Sequence, residues 1–130
     1  MMRSIVILLS MLPFVGFAAD MRNGTWRVDQ IAVELYPCQE AACGKIVWVH
    51  NPAQRNFCDR MIIWGLTSDG ASEWGGGSFL NPENGKTYNL KATVDSNTQI
   101  TARIYQGIPL LGRTEILTRI RSHSLAGWCG

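Results

Sequence analysis

Tyr88, Leu90, Ala92 and Val94 alternate along the chain with Thr87, Asn89, Lys91 and Thr93. Apolar and polar residues exchanging at a period of two predict a β-strand with one covered face. Ile100, Ala102 and Ile104 repeat the pattern against Gln99, Thr101 and Arg103, and Asp95-Ser96-Asn97 between the two runs predicts a hairpin. Ile116, Thr118 and Ile120 alternate with Glu115, Leu117 and Arg119, and Ile31, Val33 and Leu35 with Ala32, Glu34 and Tyr36. Ile46 and Trp48 alternate with Val47 and Val49, which predicts a strand covered on both faces. Met61 to Leu66 and Glu73 to Leu80 are further, less regular strands. Asn81-Pro82-Glu83-Asn84-Gly85 is dense turn chemistry. No segment sustains a helical period, and residues 50–60 hold one helical turn at most. Seven or eight short strands with consecutive short connections predict an all-β chain, an antiparallel up-and-down meander closed into a barrel. There is no internal repeat, linker or low-complexity tract, so the strands form one domain.

The first eighteen residues stand outside this pattern. Arg3 precedes an apolar stretch from Ile5 to Phe17, and Gly16-Phe17-Ala18 places small residues at −3 and −1 of a cleavage point. This predicts a signal peptide over residues 1–18 and a single barrel domain over residues 19–130. The stretch is shorter than the roughly 20 residues of a spanning helix. The expected location is therefore periplasmic or secreted. Composition then adds little: 130 residues, a formal net charge of +2 and 17% charged residues exclude disorder and a long coiled coil. The arginines are scattered rather than clustered, which argues against nucleic acid.

Export changes the meaning of Cys38, Cys43, Cys58 and Cys129. In an oxidising compartment four cysteines read as two disulfides among three pairings. Cys38 and Cys43 flank four residues, a spacing that closes a small loop at a hairpin tip, and this leaves Cys58 for Cys129. Zinc is the competing reading, but neither C-x2-C nor H-x3-H accompanies the pair. No metal and no cofactor is expected.

Four segments carry a resemblance. Gly24-Thr25-Trp26, Leu35-Tyr36-Pro37-Cys38 with Cys43-Gly44-Lys45-Ile46-Val47-Trp48, Asn81-Pro82-Glu83-Asn84-Gly85-Lys86-Thr87-Tyr88, and Gly107-Ile108-Pro109-Leu110-Leu111-Gly112-Arg113-Thr114 occur in this order. Together they resemble the DUF2147 family of exported bacterial proteins. The resemblance implies a lipocalin-like β-barrel of about eight strands, a role in binding a small, mostly apolar molecule, and no known enzyme activity. The chain departs from the family where Leu117 stands for a frequent Trp. The Cys58 loop and the tail from Ser122 to Gly130 also depart, and a shared added feature there favours Cys58–Cys129. In barrels of this type the G-x-W tryptophan plugs the closed end under a guanidinium from the last strand. Trp26 and Arg119 are the structural candidates for that pair.

Three function classes follow. In the first, the barrel holds a small hydrophobic or amphipathic ligand against the inward set Leu35, Trp48, Tyr88, Leu90, Ala92, Ile100, Ala102, Ile104 and Ile116. Ala92 and Ala102 are small and leave space, and Tyr88 offers a polar tip. A cavity of roughly 300 Å³ or more would favour this class over a filled core. In the second, a non-enzymatic envelope protein uses its surface and the apolar connection 107–112. Gly75-Gly76-Gly77 marks a bulge or a close backbone approach. In the third the chain is an enzyme, but His50, His123, Asp59 and the Ser72-Glu73 pair form no catalytic motif. The expectation is a ligand-binding protein rather than an enzyme.

Overall fold

The computed structural model describes residues 20–121 and 129. The expected signal segment lies outside the described residues. Eight strands follow in order: β1 (Gly24–Val28), β2 (Ile31–Cys38), β3 (Ala41–Val49), β4 (Met61–Ser68), β5 (Glu73–Leu80), β6 (Thr87–Ser96), β7 (Gln99–Tyr105) and β8 (Arg113–Ile120). Each pairs antiparallel with its sequence neighbour, and β1 closes on β8. Full closure leaves no unpaired sheet edge. The chain is thus an up-and-down eight-stranded barrel, as the alternation predicts. Residues 50–60 hold a short 3₁₀ helix, Pro52–Phe57, capped by Asn51, whose side chain accepts from the Ala53 amide at 2.9 Å.

Antiparallel order sorts the connections into two ends. Residues 29–30, 50–60, 81–86 and 106–112 lie at one end; residues 39–40, 69–72 and 97–98 lie at the other. At the second end Trp26 is fully buried, with the Arg119 guanidinium 4.4 Å from its ring centroid. That end is closed. The triple glycine does both things its composition suggests: the β5–β6 register shifts between Trp74 and Gly77, Gly76 has φ +69, and a Cβ on Gly77 would run into the Leu66 side chain.

Two positions of the inward set face the other way. Ile116 is 46% exposed while Leu117 is buried. The register pairs Trp26 with Arg119 and Ile100 with Leu117, so the odd positions of β8 point inward. In a strand a one-residue slip exchanges the faces. The demand that Arg119 reach Trp26 settles which residues are inside. Leu117→Ala should therefore cost about 2 kcal/mol or more, and Ile116→Ala within about 0.5 kcal/mol, in urea unfolding of the two variants.

Trp48 is the second. A bulge falls where Ala32 pairs with Trp48 and Val33 with Ile46. The extra residue breaks the period of two after Ile46. Trp48 joins Ala32, Val47 and Ile120 in a small apolar cluster separate from the barrel core, and Arg27 lies 4.9 Å from its ring centroid. The expected double coverage of β3 is real, but its second cover is on the outside of the barrel.

Both disulfides form as the spacing suggests, Cys38–Cys43 at the β2–β3 tip and Cys58–Cys129 across a sequence separation of 71. Cys129 also donates its amide to the Val47 carbonyl at 3.1 Å. The C-terminus is thereby tied to β3 and to the loop after the 3₁₀ helix.

Candidate functional site

The barrel encloses a cavity of about 220 Å³ that opens between the 3₁₀ helix and the β5–β6 turn. Its depth follows from two small residues. Ala92 and Ala102 are register partners on β6 and β7, both buried, and their missing side-chain atoms leave the middle of the barrel unfilled. Leu35, Leu90, Ala92, Ile100, Ala102 and Ile104 of the inward set line this space. Among the described residues no charged, amide or hydroxyl side chain is buried. Whatever enters the interior finds dispersion contacts there and no side-chain hydrogen bond.

Tyr88, Trp48 and Ile116 do not line the cavity. Tyr88 has the inward parity of Leu90, but it stands at the barrel rim, half-buried, where its hydroxyl accepts from Asn84 Nδ2 at 3.1 Å. It faces a shallow groove with Tyr105, Leu111 and Arg113 instead. Trp48 and Ile116 are on the outer face for the reasons above.

The structure adds lining residues that alternation did not single out: Phe57, Ile62, Ile63, Leu66, Phe79 and Leu117. Ile62 and Ile63 are adjacent, which a strict period of two cannot place on one face. The irregular β3–β4 register around Gly44 and Lys45 accounts for it. Phe57 ends the short 3₁₀ helix, and only its apolar character after Gln54, Arg55 and Asn56 hinted at a covered position.

The mouth is polar. Asp29, Gln54, Asn81, Glu83, Arg113 and Glu115 contribute to it. Gln54 Nε2 donates to Glu83 Oε2 at 2.8 Å, linking the 3₁₀ helix to the β5–β6 turn across the opening. That turn is stiff. Asn81 Oδ1 accepts from the Glu83 amide and Asn84 Oδ1 from the Lys86 amide, each at 2.8 Å. Arg113 pairs with Glu115 at 3.2 Å. The Cys58–Cys129 bridge follows directly on Phe57 and holds this side of the mouth.

The two acids with a lowered pKa, Asp20 and Asp95, lie outside this lining. Thr101 and Gln99 donate to Asp95 at 2.5 and 3.0 Å and hold its carboxyl below the usual carboxylate range. It is exposed on the β6–β7 hairpin at the closed end, so it has no part in the cavity.

A family profile described as "Uncharacterized protein conserved in bacteria (DUF2147)" matches residues 24–119. The chain belongs to this family. No curated protein matches it. Among solved structures it is similar to protein HP1028 from Helicobacter pylori, described as belonging to the lipocalin family. The TM-score is 0.67 at 16% identity, covering 82% of this chain and 86% of the other. At that identity the likeness concerns the fold: a lipocalin-like barrel.

Proposed function

We infer that this member of the DUF2147 family binds one small amphipathic molecule, its aliphatic part inside the barrel and its polar part at the mouth. The observation that carries the reading is the apolar cavity of about 220 Å³ open at one end. This space is smaller than the roughly 300 Å³ at the lower end of drug-sized pockets. It exceeds the roughly 150 Å³ of a dry aliphatic cavity that admits benzene. The ligand class is accordingly small, a short aliphatic chain rather than a fused-ring compound. Its head would meet Gln54, Asn81 and the Arg113–Glu115 pair, which offer both donors and acceptors. The interior lining is apolar, aliphatic apart from Phe57 and Phe79, and such side chains hold a molecule without exchanging protons with it. The role supported is binding, not catalysis. The disulfides and the apolar N-terminal stretch support a location outside the cytoplasm.

Native mass spectrometry of protein purified from its own cells tests this. The wild type should carry a co-purifying small molecule. The variant A92L/A102L, which fills the space between β6 and β7, should emerge folded with occupancy reduced roughly tenfold or more. Wild-type protein that emerges at the mass of the bare chain would overturn the reading, as would equal occupancy in the filled variant.

A further inference from the structure

The charge around the opening decides which head group the cavity accepts. One row of register partners crosses the barrel wall from Ala92 on β6 through Ala102 on β7 to Glu115 on β8. The space left by the two alanines is therefore bounded on the β8 side by a carboxylate. Glu115 has the inward parity of Leu117 and lines the cavity with it. Arg113 is its ion-pair partner at 3.2 Å, but the Arg113 side chain is 61% exposed and that of Glu115 33%. The acid is the deeper member of the pair. The donors around the opening are already engaged, Arg113 Nε with Glu115 and Gln54 Nε2 with Glu83. Acceptors are in surplus. Asp29, Glu83 and Glu115 line the opening against Arg113 alone, and Arg55 and Lys86 on the same connections do not line it. Asp29 has no ion-pair partner among the described residues. The whole chain has the opposite sign, a formal net charge of +2, so this surplus of negative charge is local.

We propose that the cavity takes a primary aliphatic amine, its chain inside the barrel and its ammonium among Asp29, Glu83 and Glu115. The proposal rests on the reading of the barrel as an amphiphile site and names the head group which that reading leaves open. An ammonium carries three donors and no acceptor, the complement of a rim whose own donors are taken. Water reaches the exposed rim, so the head keeps part of its hydration while the chain is desolvated. A carboxylate on the same chain would meet the surplus negative charge. To find a partner it would have to draw Arg113 away from Glu115, leaving that acid partly buried and unpaired. A hydroxyl head meets no such penalty and gains no such attraction. The rim thus supplies a selectivity between heads that the apolar interior cannot supply.

Isothermal titration calorimetry of the purified, disulfide-bonded protein with octylamine, octanol and octanoate at neutral pH separates head from chain. Octylamine should bind tightest, octanol next and octanoate weakest, with octylamine roughly tenfold or more ahead of octanoate. Added salt should narrow that ratio. The net positive chain favours the anion at long range, so a preference for the amine reports the rim itself. E83Q/E115Q removes two of the three carboxylates and should bring octylamine and octanoate within about twofold of each other. A92L/A102L should bind none of the three, which places the amine in the barrel rather than on the outer surface. Octanol binding with octylamine no tighter than octanoate would overturn the amine assignment and leave the amphiphile reading standing. An octylamine preference that survives in E83Q/E115Q would overturn it too, as would octylamine bound equally by A92L/A102L. Failure of all three molecules to bind the wild type would overturn both readings.

Discussion

Trp26→Ala is expected to destabilise the barrel by about 3–5 kcal/mol, a large share of the roughly 5–15 kcal/mol that holds a domain folded. Trp26 is fully buried and belongs to the core cluster. It sits on β1, the shortest strand, whose seam with β8 consists of Thr25–Ile120, Trp26–Arg119 and Arg27–Thr118. Removing the indole opens a cavity under that seam and takes away the ring over which Arg119 lies. The rest of the plug depends on the same ring. Arg119 Nε donates to the Asn97 carbonyl at 2.6 Å, and its guanidinium closes over Gly24 so tightly that a Cβ there would collide with it. The glycine of the G-x-W motif is thus the space the arginine occupies. Trp26 Nε1 finds no acceptor among the described residues. Facing that cation, the indole contributes its π-face and its bulk rather than a hydrogen bond. Urea unfolding should show Arg119→Met losing about 0.5–2 kcal/mol, well short of Trp26→Ala. A Trp26→Ala loss below about 1 kcal/mol would mean that the closed end is held by something other than this plug.

How far the chain discloses this arrangement depends on how local the determinant is. Alternation over Thr87–Val94 and Gln99–Ile104 is local, and it names the strands and their inner faces. The motif Gly24-Thr25-Trp26 and Arg119 are far apart in sequence, yet their chemistry is specific enough to join them. The errors arise where the face of a residue is fixed by a partner rather than by its neighbours. The β3 bulge that turns Trp48 outward exists only in the pairing with β2. The register that places Leu117 inside and Ile116 outside is set by β1. One clue was present: Arg119 cannot cover Trp26 while Ile116, three positions away, shares its face. A period of two forbids it. The size of the cavity was legible least of all. It is a remainder, left after Phe57, Ile62, Ile63 and Phe79 arrive from elements whose patterns were irregular; the two alanines leave space as expected, but about 220 Å³ falls short of the roughly 300 Å³ expected of a ligand site.

The mouth of that cavity is also where one disulfide should matter most. C58S/C129S is expected to lose about 4 kcal/mol, and C38S/C43S about 2 kcal/mol. The difference is one of loop length. Chain entropy released in the unfolded state grows with the logarithm of the closed loop, and the sequence separations are 71 and 5. Cys38 and Cys43 add little beyond a hairpin already held by the pairing of Cys38 with Ala41 and Tyr36 with Cys43. Cys58 and Cys129 join elements far apart in sequence. Without the bridge, Cys129 keeps its amide bond to Val47, and the segment around the 3₁₀ helix keeps the Gln54–Glu83 contact, the backbone bonds of Asp59 and Arg60 to Ile46 and the packing of Phe57 on the core. The two effects therefore separate by probe. Global unfolding in urea should show both losses, in the ratio given. Amide exchange in the native state should show residues 52–60 opening sooner in C58S/C129S, with β6 and β7 unchanged. Equal losses for the two pairs would contradict the loop-entropy account. Unchanged exchange at 52–60 would mean that the mouth is held by its hydrogen bonds alone, and the bridge would then be a fastening for the tail rather than a part of the site.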